Sequence, residues 1–448
     1  MIVIGLIAII VASSLIVYEN GLFTPQELQL PTSPPWQRPI ENFATGIAAA
    51  DGKVFTIDIW GNINCYDAQS GKSLWNGSIG GYFASGITVS GGKVYGGTNG
   101  AEVGCLNEET GKFQWSFNAL FSDLYFKKPP NSIIVQDGLV IAISDGVSVH
   151  NATTEKLLWQ ATSYAYSPSL GILYGNITDL NTWWAAGFPL GGDPFDGNIV
   201  YALGGNFSGE YVFKLNTDNG AILWRSNIAS LNGITSVLAT YQGQVIIENG
   251  NQILSLDDAS GDILWSINVG ASIYQPAVYN GLLLFGASNG NFYALNMADG
   301  AIAWKTKVDS QNLFALVNSN NFVTTSPIQV DPQNQQIYWS FAVTQQLGTS
   351  SGNVNDQYNG TLCSLDLATG NVTWTQQIND SGAFSNTPIG LAFNDNTVFL
   401  TENYALWMLN ASTGNLIKSQ QFDHYILPPI VLGNETFVAA DLYLIALS

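Results

Sequence analysis

The segment LDDASGDILW, at residues 256–265, is one of eight copies of a single pattern in the chain. The other copies are YDAQSGKSLW (66–75), LNEETGKFQW (106–115), HNATTEKLLW (150–159), LNTDNGAILW (215–224), LNMADGAIAW (295–304), LDLATGNVTW (365–374) and LNASTGNLIK (409–418). The shared form is an apolar residue, Asp or Asn, three variable residues, Gly, three variable residues and Trp. Two copies depart from it, since Glu155 replaces the glycine and Lys418 replaces the tryptophan. Where no insertion intervenes, the spacing is about 40 residues, which is typical of β-propeller blades.

The residues of each copy predict a tight turn between two strands. Asp or Asn opens the turn by hydrogen bonding its side chain to the backbone ahead, and Gly supplies a positive φ. Three β-rich runs precede the turn, as in YQPAVYN (274–280) and GLLLFGASNGNFYALN (281–296). A fourth strand is expected to start at the Trp. Each repeat therefore predicts a four-stranded antiparallel sheet.

One such sheet cannot bury both of its faces, so the sheets are expected to stack radially against one another. The tryptophans then act as wedges between adjacent sheets, and each can bury on the order of 200 Å². We predict this structural role for Trp36, Trp75, Trp115, Trp159, Trp224, Trp265, Trp304 and Trp374.

The pattern LDxxTGxxxW, as in LDLATGNVTW, resembles the repeat of the quinoprotein-dehydrogenase-like family, the pyrroloquinoline-quinone-type β-propellers. The resemblance covers about residues 45–448. The family implies eight blades, but the chain holds nine sets of three strand-like runs, so the predicted fold is an all-β propeller of eight or nine blades. The sets begin near Gly46, Gly86, Ser132, Ser167, Ser236, Gln275, Ser326, Thr387 and Pro429.

The last set has no fourth strand after it, and the N-terminal segment offers one. Trp36 stands ten residues before GIAAADGKVF, much as Trp75 stands eleven before GITVSGGKVY. A strand at Trp36 is therefore expected to complete the C-terminal sheet and close the ring.

The resemblance also implies what an enzyme of this family would contain. Its members with activity hold pyrroloquinoline quinone between a tryptophan and a disulfide of two adjacent cysteines, with calcium bound by carboxylate and amide oxygens. This chain has three cysteines, none adjacent to another, so no catalytic, cofactor or metal residue is predicted. Cys65 and Cys105 are expected to be buried free thiols. The family includes scaffold proteins as well, and a diverged quinone- and calcium-dependent dehydrogenase stays as the alternative.

Two other candidate sites, a polar run and a histidine, are predicted to have structural roles. The run GNVNDQYNG (352–360) groups Asn353, Asn355, Asp356 and Asn359, and it is expected to be a polar loop rather than a calcium site. His150 occupies the apolar position before its turn, so a packed role is expected. Zinc would need three or four ligands at short spacing, which the sequence does not offer.

Residues 1–18 are uncharged and almost wholly apolar. As a helix they would extend about 27 Å, so we predict a transmembrane anchor, followed by a linker at 19–44 and the propeller at 45–448. A cleaved signal, or the core helix of a filament or pilus, would look similar. Sequons begin at Asn76, Asn151, Asn176, Asn206, Asn359, Asn371, Asn379, Asn410 and Asn434, which is compatible with a glycosylated exterior.

Composition limits the partners. A net charge of -20 makes a nucleic-acid partner improbable, because phosphate binding needs clustered cations. Carboxylates would be mostly protonated in acid, so the scarcity of basic residues also suggests an acidophile.

Insertions indicate where a partner would bind. Residues 117–131, 308–322 and 344–360 are expected to be long loops on one face. The segment 164–198 carries Trp183, Trp184, Phe188 and Phe195, which either plug a blade junction or form a surface for sugar or protein. The sequence thus favours a non-catalytic, membrane-anchored extracellular propeller that binds protein or glycan partners.

Overall fold

The structure is a computed structural model, and it describes residues 36–81, 84–98, 102–118, 132–136, 138–143, 146–162, 198–206, 209–228, 235–309, 321–347, 355–378, 390–402, 404–423, 426–440 and 442–447. The regular elements in these ranges are strands. No helix among them has the length and apolarity to cross a membrane. The predicted transmembrane segment at 1–18 and most of the predicted linker at 19–44 lie outside the described residues.

The chain divides into two compact units. Among the described residues, the first includes those within 44–68 and 72–268, and the second those within 36–43, 69–71 and 269–447. The described strands form nine separate sheets, which are the blades of an all-β, nine-bladed propeller fold. The structure therefore has nine blades, which is one of the two numbers that the sequence allowed.

Blades 1 to 5 contain the strands numbered β2 to β20. Blade 1 consists of β2 (Ala44–Ala50), β3 (Lys53–Asp58), β4 (Asn62–Asp67) and β5 (Ser73–Ser78), and blade 2 of β6 (Ser85–Ser90), β7 (Lys93–Gly97), β8 (Glu102–Asn107) and β9 (Phe113–Asn118). Blade 3 consists of β10 (Ser132–Gln136), β11 (Leu139–Ile143), β12 (Gly146–Asn151) and β13 (Leu157–Thr162). Blade 4 has β14 (Ile199–Asn206), β15 (Gly209–Asn216) and β16 (Ile222–Asn227), and blade 5 has β17 (Thr235–Tyr241), β18 (Gln244–Asn249), β19 (Gln252–Asp257) and β20 (Ile263–Asn268).

Blades 6 to 9 contain the remaining strands. Blade 6 consists of β21 (Ile273–Tyr279), β22 (Leu282–Ala287), β23 (Asn291–Asn296) and β24 (Ile302–Lys307). Blade 7 consists of β25 (Asn321–Thr325), β26 (Gln329–Asp331), β27 (Gln336–Leu347), β28 (Asn355–Asp366) and β29 (Val372–Ile378). Blade 8 has β30 (Gly390–Asn394), β31 (Thr397–Glu402), β32 (Ala405–Asn410) and β33 (Leu416–Gln421), and blade 9 has β34 (Ile430–Leu432), β35 (Glu435–Ala440), β36 (Tyr443–Leu447) and β1 (Gln37–Pro39).

The N-terminal strand completes the last blade, as predicted. β1 pairs antiparallel with β36, and Gln37, Arg38 and Pro39 stand opposite Ile445, Leu444 and Tyr443. Trp36 precedes this strand and packs on Phe437 of the same blade, with ring centroids 5.8 Å apart.

Two predictions about loops and boundaries were wrong. Residues 344–360, predicted as a loop, belong largely to a long hairpin in which β27 and β28 pair from Gln336–Asp366 out to Leu347–Asn355. The polar sequence gave no sign that β27 and β28 extend this far. Strands pair through their backbones, and polar side chains do not prevent that pairing. The fourth strands also begin two residues before the Trp in most blades, for example at Ile263 rather than Trp265.

The core lies between blades. In the second strands β3, β18, β22, β31 and β35, nearly every residue is buried, which means that both faces of the sheet are covered. The fourth strands β5, β20 and β24 instead alternate between exposed and half-buried residues, because each is the outermost strand of its sheet. Each apolar cluster joins two consecutive blades; one, for example, combines Phe55 and Ile57 of blade 1 with Ile87 and Leu106 of blade 2.

Candidate functional site

The recurrent Trp and the recurrent Gly contact each other across consecutive blades. A Cβ atom added to Gly261 of blade 5 would lie 2.8 Å from the ring of Trp224 in blade 4. The same contact joins Gly71 with Trp36, Gly111 with Trp75, Gly220 with Trp159, Gly370 with Trp304 and Gly414 with Trp374. Each of these glycines also has a positive φ, between 65° and 79°. The glycine is therefore needed twice, once for the turn and once for the approach of the indole.

A hydrogen bond fixes most of these indoles. Nε1 of the Trp donates to the backbone carbonyl that follows the Asp or Asn of the next turn, at 2.5 to 3.1 Å. The pairs are Trp75 with Glu108, Trp159 with Thr217, Trp224 with Asp258, Trp304 with Leu367 and Trp374 with Ala411. Trp265 differs, since its Nε1 donates to Oε1 of Gln244 in its own blade. A buried indole N–H needs such a partner, so the bond orients each ring.

The turns themselves have the geometry that their sequence predicts. Oδ1 of Asn107 accepts hydrogen bonds from the backbone N–H and the hydroxyl of Thr110. Asp366 and Thr369 repeat the arrangement in blade 7. Because Oδ1 of each side chain accepts two hydrogen bonds within its own turn, Asn107 and Asp366 are structural in these blades.

The junction of blades 2 and 3 departs from the pattern. Glu155 stands where the glycine is expected and keeps a positive φ of 62°. Nδ1 of His150 lies 3.1 Å from the Glu155 carbonyl oxygen, and the His150 ring stacks on Phe117 of blade 2 at 3.5 Å between centroids. Trp115 Nε1 is buried and has no hydrogen-bond partner among the described residues. The two unusual residues of this repeat, His150 and Glu155, are thus partners.

His150 is packed, as its apolar position in the repeat predicted. Its side chain is buried, and burial lowers the pKa of the imidazole, although the Glu155 carbonyl acts in the opposite direction. Since a backbone carbonyl only accepts, the proton of the neutral ring lies on Nδ1, and Nε2 faces the interior without a partner in the described part of the chain.

Three lysines add polar contacts across the blade junctions, and the sequence interpretation missed them. Lys53 of blade 1 binds Glu108 and Glu109 of blade 2, at 3.0 and 2.7 Å. Lys93 of blade 2 donates to the carbonyl of Ala152 in blade 3, and Lys214 of blade 4 binds Asp258 of blade 5 at 2.7 Å. The repeated GKV at 52–54 and 92–94 was the available signal for the first two.

The cysteines do not fit the cofactor site that the dehydrogenase resemblance implies. Cys65, Cys105 and Cys363 are buried free thiols on β4, β8 and β28. Burial raises the pKa of each thiol to about 12. Thiols placed on three different blades cannot supply the disulfide of adjacent cysteines, so we derive no chemistry from a quinone.

Other predicted site residues have mixed outcomes. The polar run 352–360 was predicted as a loop, and this was wrong for Asn355, Asp356 and Asn359, which belong to strand β28, while Asn353 is outside the described residues. No group of three His, Cys, Asp or Glu side chains in the described ranges is arranged to hold a metal ion. The segment with Trp183, Trp184, Phe188 and Phe195 lies outside those ranges.

The sequons occupy different environments. Asn76, Asn371 and Asn434 are exposed, whereas Asn151 and Asn410 are half-buried and use their Oδ1 atoms in the turns. Asn206 and Asn359 are in strands β14 and β28, and Asn176 and Asn379 lie outside the described residues.

The fold and the repeat together define a β-propeller of the pyrroloquinoline-quinone type. The sequence profile of the family described as outer membrane protein assembly factor BamB matches residues 29–206, 208–326 and 323–424. The chain belongs to this family.

Individual relatives are distant. An outer membrane protein assembly factor BamB from Moranella endobia is 26% identical over 215 residues, which is 39% of this chain and 54% of that protein. A tetrathionate hydrolase from Acidithiobacillus ferrooxidans is 25% identical over 296 residues, covering 64% of this chain and 49% of that protein. The chain thus spans about half the length of these curated relatives.

Solved structures support the fold. The quinohemoprotein alcohol dehydrogenase ADHIIG from Pseudomonas putida HK5 aligns with a TM-score of 0.51 and 14% identity, covering 91% of this chain and 72% of that chain. At this level of identity the likeness extends to the architecture and not to the activity.

Proposed function

We propose that the protein is a non-catalytic binding propeller that brings together components during assembly at a membrane or cell surface. The observation that carries the proposal is the family match over 29–424, since that family is described as an assembly factor. The relatives of the same name support this direction, while the tetrathionate hydrolase shows that related chains have also been recruited for chemistry.

The use of the repeat residues also favours binding over catalysis. The indoles and turn glycines contact one another between blades, and the turn carboxylates and amides cap their own backbone. The thiols are buried with raised pKa values. A scaffold needs this rigid frame, and its function then depends on the surface that the frame presents.

We further propose the arrangement of the whole chain. Residues 1–18 anchor the protein, 19–44 act as a linker, and the propeller at 45–448 faces the exterior. Of the sequons, Asn76, Asn371 and Asn434 are the preferred candidates for glycosylation, because their side chains are exposed.

The test is to identify what the anchored protein holds. The full chain is solubilised from membranes in detergent after mild cross-linking, and the captured proteins are identified by mass spectrometry. A variant without residues 1–18 is the control. We expect the full chain to be in the membrane fraction and the truncated chain to be lost from it, and both to capture the same envelope or surface proteins.

Three results would contradict the proposal. One is a capture no richer than that of an unrelated anchored protein. The second is dye reduction on addition of pyrroloquinoline quinone and calcium, which would revive the dehydrogenase. The third is the finding, by electron microscopy of sheared surface filaments, that this chain is their repeating subunit. Titration of tryptophan fluorescence with a sugar panel separates glycan partners from protein partners.

A further inference from the structure

The outermost strand of blade 5 exposes aliphatic side chains. Ile263 and Leu264 of β20 are each 51% exposed although they are consecutive in a strand. The cause is a β-bulge, because Leu256 pairs with Ile263 while Ser255 pairs with Trp265, which leaves Leu264 as the additional residue. The bulge turns both aliphatic side chains to solvent and leaves the indole at the blade junction.

Blade 4 exposes a second pair of consecutive aliphatic side chains near the turn that leads into β20. Ile222 and Leu223 of β16 are 40% and 50% exposed, and an equivalent bulge lies in their strand. The next residue, Trp224, packs on Gly261 and donates to the Asp258 carbonyl, which places the start of β16 beside the turn that leads into β20. We call Ile222, Leu223, Ile263 and Leu264 the blade-5 edge patch.

The edge of β20 lacks the charged residues that protect three of the other outer strands, β16, β24 and β33. Natural edge strands are commonly blunted by lysine, proline or other charges. β24 carries Lys305 and Lys307, β16 carries Arg225 and β33 carries Lys418, whereas β20 (ILWSIN), like β5, β9, β13 and β29, has no charged residue and no proline. As the last strand of its sheet, β20 directs alternate N–H and C=O groups outward.

Acidic residues of two turns near the patch favour a cationic partner. The residue after the turn glycine is Lys in blades 1 and 2, at Lys72 and Lys112, but it is Asp262 in blade 5. Asp262 and Asp218 of the neighbouring turn are both exposed. The whole chain carries a net charge of -20, so a second copy would be repelled and a cationic partner attracted.

We propose that β20 is a docking edge for an extended basic segment of a partner protein, in which aliphatic residues alternate with Lys or Arg. The segment adds as a strand to blade 5. Its backbone pairs with the outward N–H and C=O groups of β20, its aliphatic side chains cover the blade-5 edge patch, and its cations face Asp218 and Asp262. This docking edge specifies the partner chemistry of the proposed binding function and rests on it.

The probe is a fluorescently labelled ten-residue peptide of alternating Lys and Val, capped at both ends, with a Glu–Val peptide of the same length for comparison. Anisotropy is measured with the full chain in detergent at low and high salt. We expect binding of the Lys peptide that weakens with salt, and no binding of the Glu peptide. Equal binding of the two peptides, or none up to about 1 mM, would overturn the proposal.

Two matched variants locate the peptide. Ile263→Lys and Ile302→Lys place the same charge at equivalent exposed positions of blades 5 and 6, where the isoleucines are 51% and 48% exposed. We expect Ile263→Lys to weaken binding at least about tenfold and Ile302→Lys to change it less than about twofold. An equal effect of both would refute docking at β20. If Ile263→Lys does not fold, Leu264→Ser is used in its place, and it is also expected to weaken peptide binding.

Hydrogen exchange gives an independent measurement. The peptide should slow exchange of amides in Ile263–Asn268 and leave those in Ile302–Lys307 unchanged. If Ile263→Lys abolishes peptide binding but still captures the cross-linked partners of the full chain, the binding function stands and β20 is not the edge that those partners use. If no partners are captured while the peptide binds at β20, the docking edge stands and the assembly role fails.

Discussion

The double role of the turn glycine can be measured within one blade. Gly261 and Gly243 belong to the two turns of blade 5 that precede β20 and β18, and their φ angles are +79° and +76°. A Cβ at Gly261 would lie 2.8 Å from the Trp224 ring, whereas a Cβ at Gly243 would meet no atom within 4 Å. Substitution by alanine therefore imposes the same backbone strain at both sites and a steric clash at only one.

The expected magnitudes follow from these contacts. Alanine at a positive φ costs about 1–2 kcal/mol, which is the expected loss of unfolding free energy for Gly243→Ala. Gly261→Ala adds an overpacking cost of about 1–3 kcal/mol, because the Trp224 ring must move. It also weakens the 2.8 Å bond from Trp224 Nε1 to the Asp258 carbonyl, which contributes about 1 kcal/mol. Gly261→Ala should thus be less stable than Gly243→Ala by about 2–4 kcal/mol.

The assay is urea unfolding followed by tryptophan fluorescence and by circular dichroism. A Trp224→Ala background provides the control, because without the indole both alanine substitutions should cost the same. If Gly261→Ala were no less stable than Gly243→Ala, or if the excess cost persisted in the Trp224→Ala background, the indole would not be the reason for the glycine.

Three further predictions concern single groups. Lys53→Met should lower the unfolding free energy by about 2–4 kcal/mol, because Glu108, whose side chain is 3% exposed, loses its ammonium partner; Lys112→Met, a change at an exposed lysine, should shift the urea midpoint little. The pKa of His150 is lowered in the folded chain, so below pH about 6.5 the unfolded chain binds a proton more readily than the folded chain does. The free energy of unfolding should therefore fall from pH about 7 to 5.5. His150→Leu should remove part of that fall in pH-dependent melting curves, and an unchanged slope would exclude His150 as a contributor. Iodoacetamide at pH about 8 should label no buried thiol in the folded protein and label all of them in urea, since burial raises the pKa values of Cys65, Cys105 and Cys363 to about 12.

The sequence by itself determined the local structure. In the repeats that keep the glycine, this residue adopts a positive φ, and side chains such as Asp257 cap the turn, because both effects involve residues within four or five positions of each other. The alternation of strands and turns is likewise local, so the four-stranded sheets and the strand at Trp36 could be predicted. The extended pairing of β27 with β28 was not predicted, since the polar sequence at 344–347 and 355–360 has no hydrophobic pattern.

Only the tertiary structure decided which residues of different repeats meet. Trp224 and Gly261 occur in separate copies of the pattern, and nothing in either copy says that the indole of one blade rests on the glycine of the next. The contact of His150 with the backbone carbonyl of Glu155 gives the imidazole a hydrogen-bond partner within its own turn. The exposure of Ile263, like that of Ile222 and Ile302 in the neighbouring blades, depends on a bulge and on the end position of the strand in its sheet. Such contacts depend on how sheets stack in space, and separation along the chain does not encode that stacking.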